Sequence, residues 1–263
     1  MGVGKSTLVQ SMSTLLGTRA TVNPHLLQPV QIYEVAQTKG NMGERFKVQF
    51  IDCPGIQAHI TPTNITSIES SKFDGIIEYI EHQFDKTLIE ETKLLREKID
   101  DSHIHLVIYV FDPVVIVSHK GLSEMDRLFL SRICGKTNIV CCIGKMDIMT
   151  KKEHAFLIAL MNDQLAKFDL LLTKEQVPEL AKVFTVMNGE LDEKTNQPTF
   201  TREYSWGLVF TSSSELKELV DTLLHIIADL KTSTKDEAYQ EYRTKKLTTL
   251  MGDRSSQSTL VNA

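Results

Sequence analysis

Short apolar runs alternate with stretches of helical periodicity along much of the chain. Residues 45–51 alternate between polar and apolar side chains, which predicts a strand. The runs at residues 105–111 and 138–143 are continuous and rich in β-branched residues, as is typical of parallel strands buried on both faces. Helical spacing occurs in residues 6–16, 74–97, 125–134, 151–168 and 215–230. This alternation predicts an α/β fold with a mostly parallel sheet flanked by helices.

The C-terminal end differs in composition from the rest of the chain. After Leu247 the sequence becomes rich in Ser, Thr, Gly and Asn, which predicts a flexible tail over residues 248–263. We expect residues 1–247 to form one domain, although the length alone would permit two.

The overall composition is that of a globular protein, with 24% charged residues and 41% hydrophobic types. A net charge of −5 gives no global reason to expect a nucleic-acid partner, since such binding needs an excess of lysine and arginine. The four cysteines lack the spacing of a zinc site or a disulfide framework. No apolar run approaches the ~18 residues of a membrane span, and no signal pattern opens the chain. We expect a cytoplasmic protein, and membrane contact is not supported.

The N-terminal sequence MGVGKST matches the second half of the phosphate-loop motif G-x-x-x-x-G-K-[ST]. Lysine in this motif reaches the β and γ phosphates, and the hydroxyl of Ser6 would be a ligand of Mg²⁺. The residues expected to bind the nucleotide here are Gly2, Val3, Gly4, Lys5, Ser6 and Thr7. The first glycine of the motif would precede Met1, so we expect an N-terminal truncation that also removes the first strand. Taken alone, the fragment could equally be a chance turn.

A second phosphate element follows the strand predicted at residues 45–51. Asp52 and Gly55 form a D-x-x-G sequence at the carboxyl end of that strand. Asp52 would hold Mg²⁺ through a water molecule, and the N–H group of Gly55 would meet the γ phosphate. An isolated D-x-x-G is usually only a turn, but its position after a strand downstream of the phosphate loop favours the functional interpretation.

A third element, Gly-Lys-Met-Asp, follows the apolar run at residues 138–143. Guanine differs from adenine in its N1–H and N2 amino donors, and the carboxylate of Asp147 is suited to accept from both. Lys145 would pack its aliphatic stem against the nucleotide. The alternative is a solvated turn between strand and helix. Three elements in this order together predict a guanine-nucleotide site.

Beyond these elements, the chain resembles the septin family over nearly its whole length. The matching segments are residues 79–84 (YIEHQF), 121–126 (GLSEMD), 138–147 (NIVCCIGKMD), 202–207 (REYSWG) and 238–247 (AYQEYRTKKL). The resemblance implies a P-loop NTPase fold with a septin-type C-terminal extension within residues 1–247.

The family resemblance also implies ligands, partners and a location. It implies GTP or GDP with Mg²⁺, together with homo- or hetero-oligomers and filaments of septin subunits at the cell cortex or division site in cytokinesis. Arg202 would contact the guanine, and Asn188 and Gly189 would meet the base through their backbone. Without the resemblance, Arg202 would be interpreted as a surface residue packed on an aromatic neighbour.

Two departures from the GTPase pattern concern hydrolysis. The threonine that helps position Mg²⁺ and the attacking water in septins is replaced by Pro29, although Thr21 could substitute under a shifted alignment. The water-orienting glutamine that follows D-x-x-G in Ras-type enzymes is replaced by Ile56. We therefore assign no catalytic residue and expect slow or absent GTP hydrolysis. The alternative is a catalytically active, septin-related GTPase switch, for which association with a membrane stays open.

Overall fold

The structure is a computed structural model, and it describes residues 4–16, 21–23, 31–39, 45–53, 70–93, 101–168, 170, 177–187, 190–191, 198–199, 201–210 and 214–260. The helices are α1 (Lys5–Leu15), α2 (Ser70–Glu91), α3 (Pro113–His119), α4 (Glu124–Ile133), α5 (Lys151–Lys167), α6 (Leu216–His225), α7 (Ile227–Ser233) and α8 (Gln240–Leu260). The strands are β1 (Thr21–Asn23), β2 (Gln31–Lys39), β3 (Arg45–Asp52), β4 (Leu106–Phe111), β5 (Asn138–Ile143), β6 (Phe184–Thr185), β7 (Glu190–Leu191), β8 (Pro198–Thr199), β9 (Thr201–Tyr204) and β10 (Gly207–Phe210).

The parallel sheet predicted from the apolar runs is present and has the order β4-β5-β6. Leu106 pairs with Asn138 and Phe111 with Ile143, so β4 and β5 run in register along their whole length. Every residue of β5 is buried, as expected for a central strand. β4 lies at the edge of the described sheet and is only half-buried before Phe111.

Side chains of β5 alternate between two hydrophobic layers. Ile139, Cys141 and Ile143 face a core built mainly with α2, α4 and α5. Val140 and Cys142 face a second core, which α1, α6 and α7 cover. Because successive strand residues point to opposite faces, one strand joins both layers of the domain. Burial raises the pKa of Cys141 to about 12, so its thiol is inert at neutral pH.

The remaining strands pair antiparallel, which the sequence did not indicate. β3 was correctly predicted as a strand, but it pairs with β2, which in turn pairs with β1. Neither β1 nor β2 was predicted. β7 pairs with β8, and β9 forms a hairpin with β10.

Two helix predictions differ from the structure, and a further helix extends past residue 247. α2 ends at Glu91 rather than residue 97, where the Thr92 hydroxyl donates to the Ile89 carbonyl at 2.7 Å. The helix predicted over residues 215–230 breaks at Ile226, whose dihedral angles leave the helical region (φ −95°, ψ 7°) while its side chain stays in the core. α8 continues to Leu260, so the domain boundary predicted at residue 247 falls inside a helix; the flexibility of the tail stays a prediction.

Helix α3 was not predicted, although both of its ends carry sequence signals. Asp112 caps its start by accepting from the Val114 N–H group at 3.0 Å, and Pro113 occupies the first turn. Its end is a left-handed Lys120 (φ 55°) followed by Gly121, whose N–H group donates to the Ile116 carbonyl. His119 is the last residue of this helix, and its side chain is exposed.

The C-terminal helical segment docks on α2 through an aromatic cluster. Phe84 of α2 contacts Tyr239 and Tyr242, and the ring of His103 stacks on Tyr239 at a centroid distance of 5.5 Å. The Tyr242 hydroxyl donates to Asp85 at 2.7 Å. A π-helical segment, Thr234–Tyr239, carries the chain into this contact. Among the described residues, no helix combines the length and the apolar character needed to cross a bilayer.

His103 makes this docking sensitive to acid. Burial lowers the pKa of His103 below its usual 6.5, and the ring lies 2.8 Å from the Thr87 hydroxyl. As the pH falls, His103 is protonated at a higher pH in the unfolded chain than in the folded chain. Its contribution to stability is therefore complete above about pH 6.5 and is lost as the pH falls below that value. We expect the free energy of unfolding to fall between about pH 7.5 and about pH 5.5, and to fall less steeply in His103→Gln.

Urea denaturation at a series of pH values measures this slope. His119→Gln changes an exposed histidine on α3 and should keep the wild-type slope. If the unfolding free energy depends on pH equally steeply in wild type and in His103→Gln, His103 is not the source of the acid sensitivity.

Candidate functional site

The carboxyl ends of the parallel strands bring together the residues that follow them. Asp112 follows β4, and Lys145 and Asp147 follow β5. In open parallel sheets this edge is where ligands bind. The turn after β5, which carries the predicted site residues Lys145 and Asp147, therefore lies at the edge of the sheet where ligands usually bind.

Hydrogen bonds to both neighbouring strands fix the turn after β5. The Gly144 N–H group donates to the Phe111 carbonyl at 3.0 Å, and the Met146 N–H group donates to the Val186 carbonyl at 3.3 Å. Between them Lys145 is left-handed (φ 54°), a conformation that a non-glycine residue seldom adopts. A 3₁₀ turn, Met146–Ile148, follows and sets the direction of Asp147.

The carboxylate of Asp147 is buried and only partly satisfied. Its side chain is 0% exposed. Oδ2 accepts from Nη1 of Arg202 at 2.7 Å and from the hydroxyl of Tyr204. Oδ1 is buried and has no hydrogen-bond partner in the part of the chain that the structure describes. A buried carboxylate oxygen without a donor is costly, so Oδ1 is suited to receive N–H groups from a ligand.

The ion pair shifts the titration of both donors. Burial alone would lower the pKa of Arg202, but the hydrogen bond and the charge of Asp147 raise it. Burial and Asp147 together raise the pKa of Tyr204, although Arg202 opposes the shift. Both groups therefore keep their protons and act as donors toward Oδ2 at neutral pH.

Lys145 points its ammonium group at Asp112. Its Nζ lies 2.7 Å from Oδ2 of Asp112, while Oδ1 of the same carboxylate caps α3. Both side chains are partly buried, at 29% and 14% exposed. In this structure Lys145 therefore pairs with Asp112. The contact of its aliphatic stem with a nucleotide stays a prediction.

The predicted phosphate end is built from α1 and β3. Gly4 precedes α1 in a left-handed conformation (φ 83°), which glycine adopts without strain. The first N–H groups of a helix have no partner within the helix, and they form an anion site together with its dipole. The Ser6 hydroxyl donates to Oδ2 of Asp52 at 2.5 Å, so these two predicted metal-binding residues meet.

This pair of oxygen donors fits Mg²⁺. The ion usually takes one or two protein oxygens and completes its shell with waters and substrate phosphates. A serine hydroxyl that donates its proton to Asp52 has its lone pairs left for a cation. No group of three or more His, Cys, Asp or Glu side chains suited to a metal occurs in the described ranges.

Cys53 follows Asp52 but is unsuited to chemistry. Burial and the adjacent Asp52 raise the pKa of its thiol to about 11, while Lys5 opposes the shift. The thiol is therefore protonated at neutral pH and is a poor nucleophile and metal ligand.

Several predicted site residues lie outside the described ranges. These are Gly2, Val3, Gly55, Asn188 and Gly189, together with Pro29 and Ile56 of the hydrolysis argument. Thr21 is described only as the first residue of β1. Their roles stay predictions. Thr7 lies in the first turn of α1, and its contact with a nucleotide stays a prediction as well.

Two contacts of the site were not found from the sequence. Asp112 directly follows a predicted strand, which was a usable signal, but nothing local links it to Lys145. Tyr204 lies two residues after Arg202 and therefore on the same face of β9, so the R-x-Y spacing was the available signal. Arg202 itself contacts Asp147, where the sequence predicted a contact with the base.

Comparison with known proteins gives matches over nearly the whole chain. A family model described as Septin matches residues 1–256. Septin-1 of Homo sapiens is 28% identical over 293 residues, which cover 98% of this chain and 74% of that protein. Septin-2 of Rattus norvegicus is 28% identical over 269 residues, which cover 94% and 72%.

A solved structure supports the fold. The crystal structure of a septin GTPase domain from Chlamydomonas reinhardtii matches with a TM-score of 0.68 at 16% identity, covering 92% of this chain and 94% of that one. This likeness and the parallel sheet flanked by helices confirm the predicted α/β fold of the P-loop NTPase class.

The chemistry of Asp147 predicts a change of base preference. In Asp147→Asn, an amide NH₂ group would face the N2 amino group of guanine, donor against donor, whereas xanthine presents a carbonyl there. We expect GDP affinity to fall roughly 10- to 100-fold, as for loss of a charged hydrogen bond, and xanthosine diphosphate affinity to rise.

Titration calorimetry with both nucleotides measures this swap. Asp163→Asn makes the same exchange at an exposed position on α5 and should leave both affinities unchanged. A variant that loses GDP without any gain for the xanthine nucleotide would contradict a direct contact between Asp147 and the base.

Proposed function

This chain belongs to the septin family, and we propose that it is a structural septin subunit that holds a guanine nucleotide and Mg²⁺ and turns the nucleotide over slowly or not at all. The proposal places it in homo- or hetero-oligomers and filaments with other septin subunits. A location in the cytoplasm, at the cell cortex or division site in cytokinesis, follows from the family and forms part of the proposal.

The observation that carries nucleotide binding is the half-satisfied carboxylate of Asp147. Its Oδ2 is held by Arg202, and its buried Oδ1 has no hydrogen-bond partner among the described residues, so it can still accept from donors. Guanine offers two adjacent donors, N1–H and the N2 amino group, whereas adenine offers an acceptor at N1. The site therefore favours guanine over adenine.

The phosphate end supports the same ligand. Lys5 and the first N–H groups of α1 would hold the phosphates, with Gly2, Val3, Gly4, Thr7 and Gly55 as further backbone contacts. Ser6 would ligate Mg²⁺ and Asp52 would hold it through water, since the two side chains are hydrogen-bonded to each other. The ion would neutralise phosphate charge. Lys145, Asn188, Gly189 and Arg202 would line the base.

Slow turnover is inferred from the sequence of the switch segments. Pro29 has no hydroxyl to position Mg²⁺ and water, and Ile56 cannot orient a water molecule by hydrogen bonding. A ligand that binds the folded state without being consumed stabilises that state and any assembly built on it.

The outer face of the β9–β10 hairpin supports assembly. Leu208 and Phe210 are 59% and 51% exposed. Large apolar side chains clustered on one exposed face are typical of protein interfaces. Arg202 and Tyr204 occupy the opposite, inward face, so this surface lies on the same hairpin as the site at Asp147.

The nucleotide content of the purified protein tests binding and turnover together. Denaturing extraction followed by ion-exchange chromatography should release about one GTP per chain if the nucleotide is a structural ligand. Stoichiometric GDP would instead indicate turnover and favour the active GTPase switch. A protein without nucleotide and without affinity for added GTP would contradict nucleotide binding.

A charge on the hairpin face tests assembly. Leu208→Glu places a carboxylate where a partner would bury it, so we expect oligomers of the purified chain to dissociate, with a weakening of at least about tenfold. Light scattering coupled to size-exclusion chromatography measures the mass. Phe156→Glu introduces the same charge at an exposed apolar residue of α5 and should leave the mass unchanged. Self-association through this face is refuted if wild type is monomeric or if Leu208→Glu keeps the wild-type mass.

A further inference from the structure

We propose that Tyr204 is a positioning residue for guanine, which acts by fixing the orientation of the Asp147 carboxylate. The inference rests on the proposed function, because it concerns how the same site distinguishes guanine from related bases. Its basis is the arrangement of donors around the two oxygens of one buried carboxylate.

The two oxygens of Asp147 have different surroundings. Oδ2 accepts two hydrogen bonds, from Arg202 and from Tyr204, and these use both of its lone pairs. Oδ1 has no partner among the described residues although it is fully buried. Turning the carboxylate part of the way about its Cβ–Cγ bond would break both hydrogen bonds, and a half-turn only exchanges two equivalent oxygens. The donors therefore hold Oδ1 in one direction.

The hairpin gives the hydroxyl of Tyr204 a defined position. Arg202 and Tyr204 are two residues apart on β9, so their side chains leave the same face of the strand. Tyr204 pairs directly with Gly207 across a two-residue turn, and Gly207 has a φ of 140°, which other residues seldom adopt. This register is fixed by the turn.

The ring of Tyr204 is also held by an aromatic neighbour. It stacks on Trp206 with a centroid distance of 4.9 Å and an interplanar angle of 6°. A tyrosine has two side-chain torsions, far fewer than arginine, so the stack and the hydroxyl contact together define its position. Arg202 compensates the charge of Asp147, and Tyr204 fixes the orientation of its carboxylate.

A fixed carboxylate favours a base with two adjacent donors. Guanine presents N1–H and the N2 amino group, whereas hypoxanthine keeps N1–H and lacks the amino group. A carboxylate held in one orientation can meet the guanine pair without first being ordered. A carboxylate that can rotate still binds the single N1–H group of hypoxanthine almost as well as a fixed carboxylate does. Loss of the Tyr204 hydroxyl should therefore weaken the binding of guanine more than the binding of hypoxanthine.

The test compares GDP with inosine diphosphate (IDP) in Tyr204→Phe. Titration calorimetry on the full chain should show that GDP binds wild type more tightly than IDP does. In the variant we expect GDP affinity to fall roughly tenfold, in the range for one hydrogen bond to a charged group, and IDP affinity to fall less. The GDP-to-IDP affinity ratio therefore decreases.

Tyr242→Phe is the matched control. It also removes a tyrosine hydroxyl from an aspartate, at the 2.7 Å contact with Asp85 between α8 and α2. Both affinities should stay at their wild-type values in this variant. A purely structural role of Tyr204 would weaken GDP and IDP equally, so equal weakening, or no weakening, overturns the inference.

Wild-type measurements separate the remaining outcomes. Trp206 is the single tryptophan of the chain, so its fluorescence reports on the ring that stacks against it. GDP should change this emission, and IDP should change it less, even if Tyr204→Phe does not fold. Unchanged emission at saturating GDP overturns the inference while the proposed function stands. Failure of wild type to bind either nucleotide overturns the proposed function itself.

Discussion

The site depends on the burial of one charge, the carboxylate of Asp147. A carboxylate that is 0% exposed loses its hydration, and its burial is costly unless hydrogen-bond donors replace the lost water. Here the donors come from a hairpin that follows 55 residues later in the chain, through Arg202 and Tyr204. The requirement to compensate this charge therefore ties the hairpin to the edge of the parallel sheet.

Strand β5 connects this charge to the predicted phosphate end. One of its faces packs Val140 and Cys142 in the same core as Leu8 and Met12 of α1, the helix that begins beside Ser6. Its carboxyl end leads through Gly144 into the turn that carries Asp147. Because protein interiors are closely packed, a strand buried at every residue holds both groups in a defined relation. The separation between the Asp147 carboxylate and the start of α1 is thus set by the core.

Local sequence patterns indicated the elements of this arrangement but not its long-range contacts. The strand at residues 138–143 was predicted with the bounds that the structure gives it, because its burial on both faces produces an unbroken apolar run. The pairing of β3 with β2 and the contact of Lys145 with Asp112 were not predicted. Each joins two separate segments of the chain, and hydrophobic periodicity describes only one segment at a time. Helix α3 was missed for another reason: its Asp-Pro start and Lys-Gly end were legible, but the segment between them is short.

The hairpin unites two roles on opposite faces of two short strands. Its inward face completes the buried carboxylate, and its outward face exposes Leu208 and Phe210. A strand residue and its neighbour point in opposite directions, so anything that fixes the inward side chains also fixes the outward ones. On the proposed function, a nucleotide donating to Oδ1 of Asp147 would complete the hydrogen bonding of the group that anchors the hairpin. The presence of a bound nucleotide, more than its hydrolysis, would then determine how well ordered the outward face of the hairpin is. In this way a nucleotide that is not consumed would still contribute to the assembly of a structural subunit.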